Sequence, residues 1–279
     1  MRLFLRHANR SQQQPAHSPM RIATWNINGL RARIDFLCLW LASRAPDLVG
    51  LQELKLEAEA FPHERFAQLG YSAVVHSEKS WNGVAVLSRE PARIIQSGLP
   101  GQEDFGARLL DVEVAGMRFA TVYCPNGKTL DHADFERKLA WFDDLAGYCE
   151  EHWNPNLSGV LCGDFNIAPA ALDSWQGSKA EGRLFHTEAE RQRFAALLEF
   201  GFVDLYRQRH PEGRDFSWWD YRGGAFHRGH GLRIDTLLAT ASVTEKLQEM
   251  VIDRDYRKKQ DGLTASDHAP VYADLLIDD

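Results

Sequence analysis

The stretch LCGDFNIAP, residues 161–169, decides how this sequence is interpreted. Residues 160–162 are apolar, as at the end of a buried strand, yet Asp164 and Asn166 follow where a core would close. Residues i and i+2 of a strand point to the same face, so both polar side chains would emerge together from one strand end. This placement predicts a site of chemistry at the end of a core strand.

Segments on both sides of this stretch alternate between strand and helix patterns. Strands are predicted at residues 21–26, 47–52, 83–88, 109–114, 118–123, 233–239 and 270–275, and around Phe216. Helices are predicted at residues 33–44, from the N-cap Asp131 to Trp153, and at 188–200. The length of 279 residues fits two average domains or one large one. Because no linker or repeat divides the sequence, we expect one α/β domain over residues 20–279, with two packed sheets and helices outside.

The bulk composition is that of an ordinary globular protein, with 44% hydrophobic and 25% charged residues. The four cysteines lack metal-like spacing and indicate a reducing, cytoplasmic location, and no apolar run is long enough to cross a membrane. Residues 1–19 lack acids and hydrophobic periodicity, so we expect a disordered tail, although their arginines also fit a transit peptide. The net charge of −7 disfavours a DNA partner, but residues 205–233 carry six arginines against three acids and predict a basic strip.

Polar residues recur where other predicted strands end: Asn26, Glu53, Tyr123, Asp235 and the pair Asp267–His268. Each has a structural explanation when taken alone, since an acid after a strand often serves a turn or solvates the strand end. Their repetition at so many strand ends is what favours a function.

Seven motifs occur in order along the chain: TWNINGLRAR, GLQELK, YCPNG, GDFNIAP, FSWWDYR, GLRID and SDHAPV. Together they resemble the exonuclease III type of abasic-site endonuclease, within the endonuclease/exonuclease/phosphatase superfamily that also contains deoxyribonuclease I. The resemblance covers residues 20–276 and implies a four-layered α/β sandwich of two mixed sheets flanked by helices. It also implies a Mg²⁺-dependent DNA repair nuclease that cuts 5′ to an abasic site or removes nucleotides from a 3′ end, leaving a 3′-hydroxyl.

The resemblance assigns a metal site and a base. Glu53, Asn26 and Asp267 would hold Mg²⁺, with Mn²⁺ as a substitute, because carboxylate and amide oxygens suit hard cations. Asp164 would be the base that prepares the attacking water. Asn166 would hold that water or a phosphate oxygen.

It also assigns groups that act on the phosphate. His268 would bind the phosphate, and Asp235 would orient it, because a nearby carboxylate favours the imidazolium. Tyr123 would donate to the phosphate or assist the leaving oxygen.

Further predictions concern double-stranded DNA with an abasic site or a 3′ end, which the protein is expected to bind as a monomer. Adjacent strand residues face opposite sides, so Trp219 is expected in the core and Trp218 against the extruded sugar or terminal nucleotide. Leu232 would shape the same pocket. Additional DNA contacts are predicted for Arg108, Arg31, Arg33, Arg222 and His186.

Two positions depart from the family pattern. His186 lies in FHTEAER, residues 185–191, where a sequence nearer TPEER is expected. Its imidazole would narrow the pocket and shift the enzyme toward trimming 3′ ends. Asn28 stands where some relatives carry Asp, which would weaken binding of a second metal ion.

Two other functions remain open from the sequence. A phosphodiesterase or phosphatase of the same superfamily could act on a small or lipid phosphate, but such a substrate needs no extended basic and aromatic segment. A catalytically silent DNA-binding module would have no use for convergent acids facing an anion.

Overall fold

The computed structural model describes residues 19–276. Its strands are β1 (Pro19–Asn26), β2 (Leu48–Gln52), β3 (Ser72–His76), β4 (Val84–Ser88), β5 (Ala92–Ser97), β6 (Leu109–Val114), β7 (Met117–Tyr123), β8 (Gly159–Asp164), β9 (Val203–Asp204), β10 (Asp235–Ala239), β11 (Leu247–Ile252) and β12 (Val271–Leu276). Its α-helices are α1 (Leu30–Arg44), α2 (His63–Ala67), α3 (Ala133–His152), α4 (Glu188–Phe200), α5 (Leu205–Arg209), α6 (Ala225–Arg228) and α7 (Ala241–Thr244). The predicted tail lies outside the described residues, apart from Pro19.

The strands form two six-stranded sheets. The first has the order β11-β12-β1-β2-β4-β3, and the second has the order β5-β6-β7-β8-β10-β9. Each sheet contains one parallel pair, β1 with β2 and β7 with β8, among antiparallel neighbours. Parallel neighbours need a crossover connection, which α1 and α3 supply. The predicted mixed sheets are confirmed.

The two sheets pack face to face around an apolar core that includes Ile22, Leu110 and Cys162. Gly50 allows their close approach, because a Cβ there would meet Thr121 Oγ1 at 2.6 Å and Cys162 Sγ at 3.0 Å. Any larger residue at position 50 would force the sheets apart.

Helices cover the outer face of each sheet. On the first sheet, Trp40 of α1 packs edge to face on Trp25 of β1, with ring centroids 5.4 Å apart. On the second sheet, Trp141 of α3 and Phe194 of α4 join one buried cluster with Leu161 of β8. Each such large side chain contributes roughly 1.5–3 kcal/mol when fully buried. Helix, sheet, sheet and helix form the four predicted layers.

Strand register brings several polar residues to one edge of the sandwich. In the second sheet Tyr123 pairs with Asp164, and Asp164 pairs with Asp235. In the first sheet Asn26 pairs with Gln52, the residue before Glu53. The ends of β1, β2, β7 and β8 and the start of β10 therefore hold the predicted site residues.

Two local predictions are wrong. Helix α3 has His132 as its N-cap, because His132 Nδ1 accepts from Asp134 N at 3.0 Å, whereas Asp131 accepts from Thr129 Oγ1 at 2.7 Å. No strand forms around Phe216, where the described chain makes only isolated bridges. None of the helices between residues 19 and 276 has the length and hydropathy that a bilayer crossing requires.

Candidate active site

Polar side chains from both sheets meet through Asn26. Its Nδ2 donates to Glu53 Oε1 at 2.8 Å and to Asp164 Oδ2 at 2.9 Å. Glu53 follows β2 in the first sheet, and Asp164 ends β8 in the second. One buried amide therefore connects carboxylates that come from the two sheets.

Asp164 and Asn166 come together by a turn and not by strand alternation. Strand β8 ends at Asp164, and Asn166 adopts a positive φ of 50°. Asp164 Oδ1 accepts from Asn166 N at 2.9 Å, and Asn166 Nδ2 donates to Cys124 O at 3.0 Å. Asn is one of the residues that tolerates this left-handed conformation. The two side chains share a cavity as predicted, but the predicted reason is wrong.

His268 lies between two carboxylates. Its Nδ1 is 2.8 Å from Asp235 Oδ2, and its Nε2 is 3.9 Å from Asp164 Oδ2. Burial by itself lowers the pKa of His268, but Asp235, Asp164 and Asp267 outweigh burial, so the pKa is raised. The favoured form is an imidazolium with Nε2 toward Asp164.

Asp267 precedes His268 and is fixed by two donors. It accepts from Asn28 Nδ2 at 2.8 Å and from Trp218 Nε1 at 3.0 Å. Burial opposes ionisation, but His268 and both donors hold the pKa of Asp267 below its usual value. Asp267 is therefore a carboxylate.

These groups surround a cavity of about 180 Å³. It is lined by Glu53, Tyr123, Asn126, Asp164, Asn166, Phe185, Trp218, Ile234, Asp267 and His268. Burial, together with Glu53 and Asp164, raises the pKa of Tyr123 well above its usual value, so its phenol keeps a proton to donate.

Within this cluster carboxylates outnumber cationic side chains, while Arg257 and Lys138 act on Asp267 and Asp164 from outside it. Its cationic members are His268 and Lys55, whose Nζ is 2.7 Å from Glu53 Oε2. Its carboxylates are those of Glu53, Asp164, Asp235 and Asp267. Burial is the largest cause that raises the pKa of Asp164, and Asp235 and Glu53 add to it.

Glu53, Asp164 and His268 could hold a metal ion, since one ligand atom from each lies within 4.8 Å of the others. The raised pKa of His268 disfavours the imidazole as a ligand, because an imidazolium has no free lone pair. The carboxylate oxygens fit a hard divalent cation, and its two positive charges would offset the excess negative charge.

The orientation of Asn26 does not match the predicted role of a direct ligand. Its Oδ1 accepts from Asn28 N at 3.0 Å, so it presents amide hydrogens to the carboxylates. Asn26 donates to both Glu53 and Asp164 and so sets the distance between them. Asn28 contributes to the site by donating to Asp267.

Comparisons with known proteins agree with this geometry. Residues 23–268 match the model of the endonuclease/exonuclease/phosphatase family. The chain belongs to that family. It is 34% identical over 269 residues to exodeoxyribonuclease III of Haemophilus influenzae, covering 92% of this chain and all of that relative.

Two solved structures of this family are similar over 92% of the chain. One is a 3′ phosphatase, NExo from Neisseria, bound to a product DNA hairpin, with a TM-score of 0.87, 38% identity and 99% of that chain covered. The other is an AP endonuclease from Archaeoglobus fulgidus, with a TM-score of 0.89, 33% identity and all of that chain covered. Both support the exodeoxyribonuclease and AP endonuclease branch of the endonuclease/exonuclease/phosphatase family.

Trp219 lies in the core of this protein and Trp218 faces the cavity, as predicted from their adjacent positions. Trp219 is buried and packs edge to face on Phe226 with ring centroids 5.0 Å apart. Trp218 is half-buried and lines the cavity, with its ring centroid 6.5 Å from that of His268. Leu232 is bridged to Trp218 on the side away from His268.

The arginine-rich window is not a continuous basic strip. Arg233 is 1% exposed, with Nε 2.6 Å from Asp173 Oδ1 and Nη2 2.8 Å from Asp204 Oδ2. Arg207 Nη2 also lies 2.6 Å from Asp173 Oδ1. These two arginines neutralise buried acids, so the predicted basic strip is wrong at both positions. The exposed arginines of the window are Arg209, Arg214, Arg222 and Arg228.

The other arginines predicted to contact DNA differ in their hydrogen bonding and solvent exposure. Arg33 donates to the carbonyls of Asn28 and Ala265 and to the Tyr221 hydroxyl, which ties α1 to neighbouring loops. Arg108 donates to Tyr123 O at 3.1 Å and lies 4.7 Å from the centre of that ring. Arg31 and Arg222 are exposed.

His186 does not line the cavity, so the predicted narrowing of the pocket is wrong. The lining position belongs to Phe185. His186 is buried beside the Glu181 and Arg191 charges, and its Nδ1 lies 2.8 Å from Leu184 O. His186 therefore lies in the loop beside the cavity, and Phe185 of the same loop forms part of the cavity wall.

A buried ion pair behind the cavity was not predicted from the sequence. Lys138 of α3 lies 2.5 Å from Glu190 of α4, and both side chains are fully buried. Lys138 also donates to Asn166 O at 2.8 Å, and Glu190 accepts from Phe185 N at 3.1 Å. The available signal was a lysine among the core-facing residues of α3. Trp81 was also not predicted; it is 75% exposed and precedes Asn82, whose backbone oxygen accepts from Lys55 N.

Proposed function

We propose that this protein is a divalent-metal-dependent DNA repair nuclease that hydrolyses phosphodiester bonds at abasic sites and 3′ ends and leaves 3′-hydroxyl groups. The observation that carries the proposal is the close grouping of Glu53, Asp164 and His268 in a cluster with excess negative charge. Phosphodiester hydrolysis needs charge neutralisation, a base and donors for the phosphate oxygens. The names of the relatives, an exodeoxyribonuclease, a 3′ phosphatase and an AP endonuclease, support the same activity.

Asp164 acts as the base that takes a proton from the attacking water. Its Oδ1 accepts a hydrogen bond from Asn166 N, and its Oδ2 accepts one from Asn26 Nδ2. Its raised pKa brings it closer to neutral pH, where a general base is most effective. Asn166 holds the water or a phosphate oxygen through the amide hydrogen that it does not donate to Cys124.

His268 and Tyr123 donate to the phosphate. Asp235 keeps the proton on Nδ1 of His268, so the imidazolium directs Nε2–H at a phosphate oxygen. Tyr123 donates its phenolic proton to the phosphate or to the leaving oxygen. Asp235 fixes His268 before substrate arrives, so this donor needs no reorganisation as charge develops.

Glu53 and Asp267, which line the same cavity, would hold Mg²⁺ beside Asp164, and Mn²⁺ would substitute because it takes the same oxygen ligands. When bound, the cation neutralises charge on the phosphate. Asn26 contributes by donating to both Glu53 and Asp164, which fixes the ligand and the base relative to each other.

Trp218 accepts the sugar of an abasic or terminal nucleotide, with Leu232 bridged to its backbone, and Arg31, Arg108 and Arg222 contact phosphates. Trp218 lines the cavity beside His268, which supports this role. We further propose that residues 20–279 act as one domain and that the protein works as a monomer in the cytoplasm. The free cysteines fit a reducing compartment.

Cleavage of labelled duplexes tests the proposal. Three duplexes of one sequence carry a recessed 3′ end, a 3′-phosphate or a central tetrahydrofuran abasic analogue, and each is incubated with Mg²⁺ or with chelator. We expect Mg²⁺-dependent cleavage, with new 3′-hydroxyl ends that a polymerase extends.

The alternatives give different results. A retarded but uncut duplex in Mg²⁺ would indicate a binding module. Release of phosphate from small or lipid esters without cleavage of any duplex would indicate a different phosphohydrolase of the family. The relative rates on the three duplexes would rank the substrates.

A further inference from the structure

Trp175 and His230 form a stacked pair at the protein surface. Their ring centroids lie 3.7 Å apart, and their planes are inclined by 10°. Trp175 N donates to Gly231 O at 3.0 Å, which fixes the two segments to each other. Trp175 is nevertheless 40% exposed. An exposed indole held flat against a second ring is a preformed surface for stacking.

Three successive backbone bridges connect the segment that carries Trp175 to the candidate active site. Ser174 bridges to Leu232, Leu232 bridges to Trp218, and Trp218 bridges to His268. Neighbouring bridged segments lie about 4.8 Å apart, so three steps separate the backbone of Ser174, the residue before Trp175, from that of His268 by on the order of 14 Å. Successive bases of a duplex rise by about 3.4 Å, so this corresponds to roughly four nucleotides.

Arginines accompany both chain neighbours of Trp175. Arg214 Nη2 donates to Ser174 O at 3.2 Å, and Arg183 Nη1 donates to Gln176 Oε1 at 3.1 Å. Both arginines are exposed. An aromatic face flanked by guanidinium groups is the chemistry that binds unpaired bases together with their phosphates.

We propose that Trp175, backed by His230, stacks with an unpaired nucleobase of bound DNA a few nucleotides from the cleaved phosphate. The proposal rests on the proposed nuclease function. Bases inside a duplex are covered by their neighbours, so this surface favours DNA with a single-stranded segment. A 5′ overhang opposite a recessed 3′ end supplies such a segment.

The test uses 2-aminopurine, whose fluorescence falls on stacking, at each of the first four positions of a 5′ overhang. Binding is measured with chelator present so that no DNA is cut. We expect quenching at one position with the wild type and Trp175→Phe, but not with Trp175→Ala. Trp175→Ala should raise the Kd for overhang DNA about tenfold and leave the Kd for a blunt duplex unchanged.

Two comparisons control for a general surface effect. Leu157→Ala removes another exposed apolar side chain, 64% exposed, and should leave the Kd unchanged on both DNAs. His230→Ala should weaken overhang binding less than Trp175→Ala, and His230→Phe should restore it. Circular dichroism establishes that each variant is folded.

The outcomes separate this inference from the nuclease proposal. Cleavage by the wild type with no quenching at any position, and equal Kd values for wild type and Trp175→Ala, would overturn the stacking inference alone. Quenching without cleavage in Mg²⁺ would overturn the nuclease function and leave the stacking surface in place. Absence of DNA binding by the wild type would overturn both.

Discussion

Two buried acidic clusters in this protein differ in how their charge is compensated. In the arginine cluster, made of Asp173, Asp204, Arg207 and Arg233, two carboxylates meet two guanidinium groups at 2.6–2.8 Å. Each charge has an opposite partner, and planar guanidinium groups suit such bidentate contacts. This cluster connects the chain segments behind the cavity and needs no added ion.

The site cluster, made of Glu53, Asp164, Asp235, Asp267, Lys55 and His268, is not balanced. His268 is shared between Asp235 and Asp164, and the pKa of Asp164 is raised. Burial of acids is therefore common to both clusters, and uncompensated charge distinguishes the one with a proposed catalytic role. Energetically, such a cluster is tolerated because a cation can complete it.

The largest expected difference between the clusters is in turnover. Asp164→Asn should lower kcat by about 10³-fold or more, because a general base contributes up to roughly 10⁴-fold. Single-turnover cleavage measures this, and filter binding in chelator should give a Kd within about twofold of the wild type. A parallel loss of binding would contradict the assignment of Asp164 as the base.

The arginine cluster should respond in the opposite way. Arg233→Met leaves Asp173 and Asp204 with one arginine fewer in a buried site, and breaking a buried ion pair from one side costs about 3–5 kcal/mol. Urea unfolding should show this loss, while the protein that remains folded should keep its kcat. A loss of kcat with unchanged stability would mean that Arg233 acts in catalysis.

Metal binding should stabilise the folded protein, and it should do so through the site cluster and not through the arginine cluster. At a concentration of Mg²⁺ or Mn²⁺ about 100 times its Kd, the wild type should gain about 2.7 kcal/mol of unfolding free energy. Glu53→Gln should lose most of this gain, and Arg31→Gln, a matched change at an exposed position, should keep it. Equal gains in both variants would place the ion elsewhere.

Lys138 provides an intermediate case, because its ion pair with Glu190 is balanced yet touches the loops that line the cavity. Lys138→Met should lower kcat by about 10-fold through misplacement of Asn166, with little change in KM. Lys138→Arg should recover part of the rate. A change confined to stability would give Lys138 a structural role alone.

The smallest effect concerns the pH dependence. The base must be a carboxylate, so activity should rise with pH through the raised pKa of Asp164, and more Mg²⁺ should move this limb to lower pH. The raised pKa of His268 keeps its imidazolium through neutral pH, so activity should fall only at alkaline pH. Rate profiles at two metal concentrations would measure this. An acid limb whose pH does not change with metal concentration would contradict placing the ion next to Asp164.

Strand position explains which elements the sequence revealed. The eight interior strands carry apolar patterns that were identified, because neighbours on both sides bury them. The four edge strands were missed: β3, β5, β9 and β11. An edge strand is covered on one side only, and Ala92–Ser97 is largely exposed as a result.

The site was predicted to the extent that motifs mark it. Residues at strand ends, such as Glu53, Asp164 and His268, were identified and do converge. The sequence could not reveal that Arg233 is buried, that His186 turns away from the cavity, or that Trp175 rests on His230. Each of these depends on contacts between segments that lie far apart in the chain.

The strand and helix pattern of the interior, and the residue types that suit a cation and a phosphate, follow from the amino-acid sequence alone. Which charges are neutralised depends on the folded chain, because the partners of Asp173 and of Asp164 come from other strands and loops. Apolar periodicity is a local property of the chain, whereas charge balance in a buried site depends on everything that surrounds it.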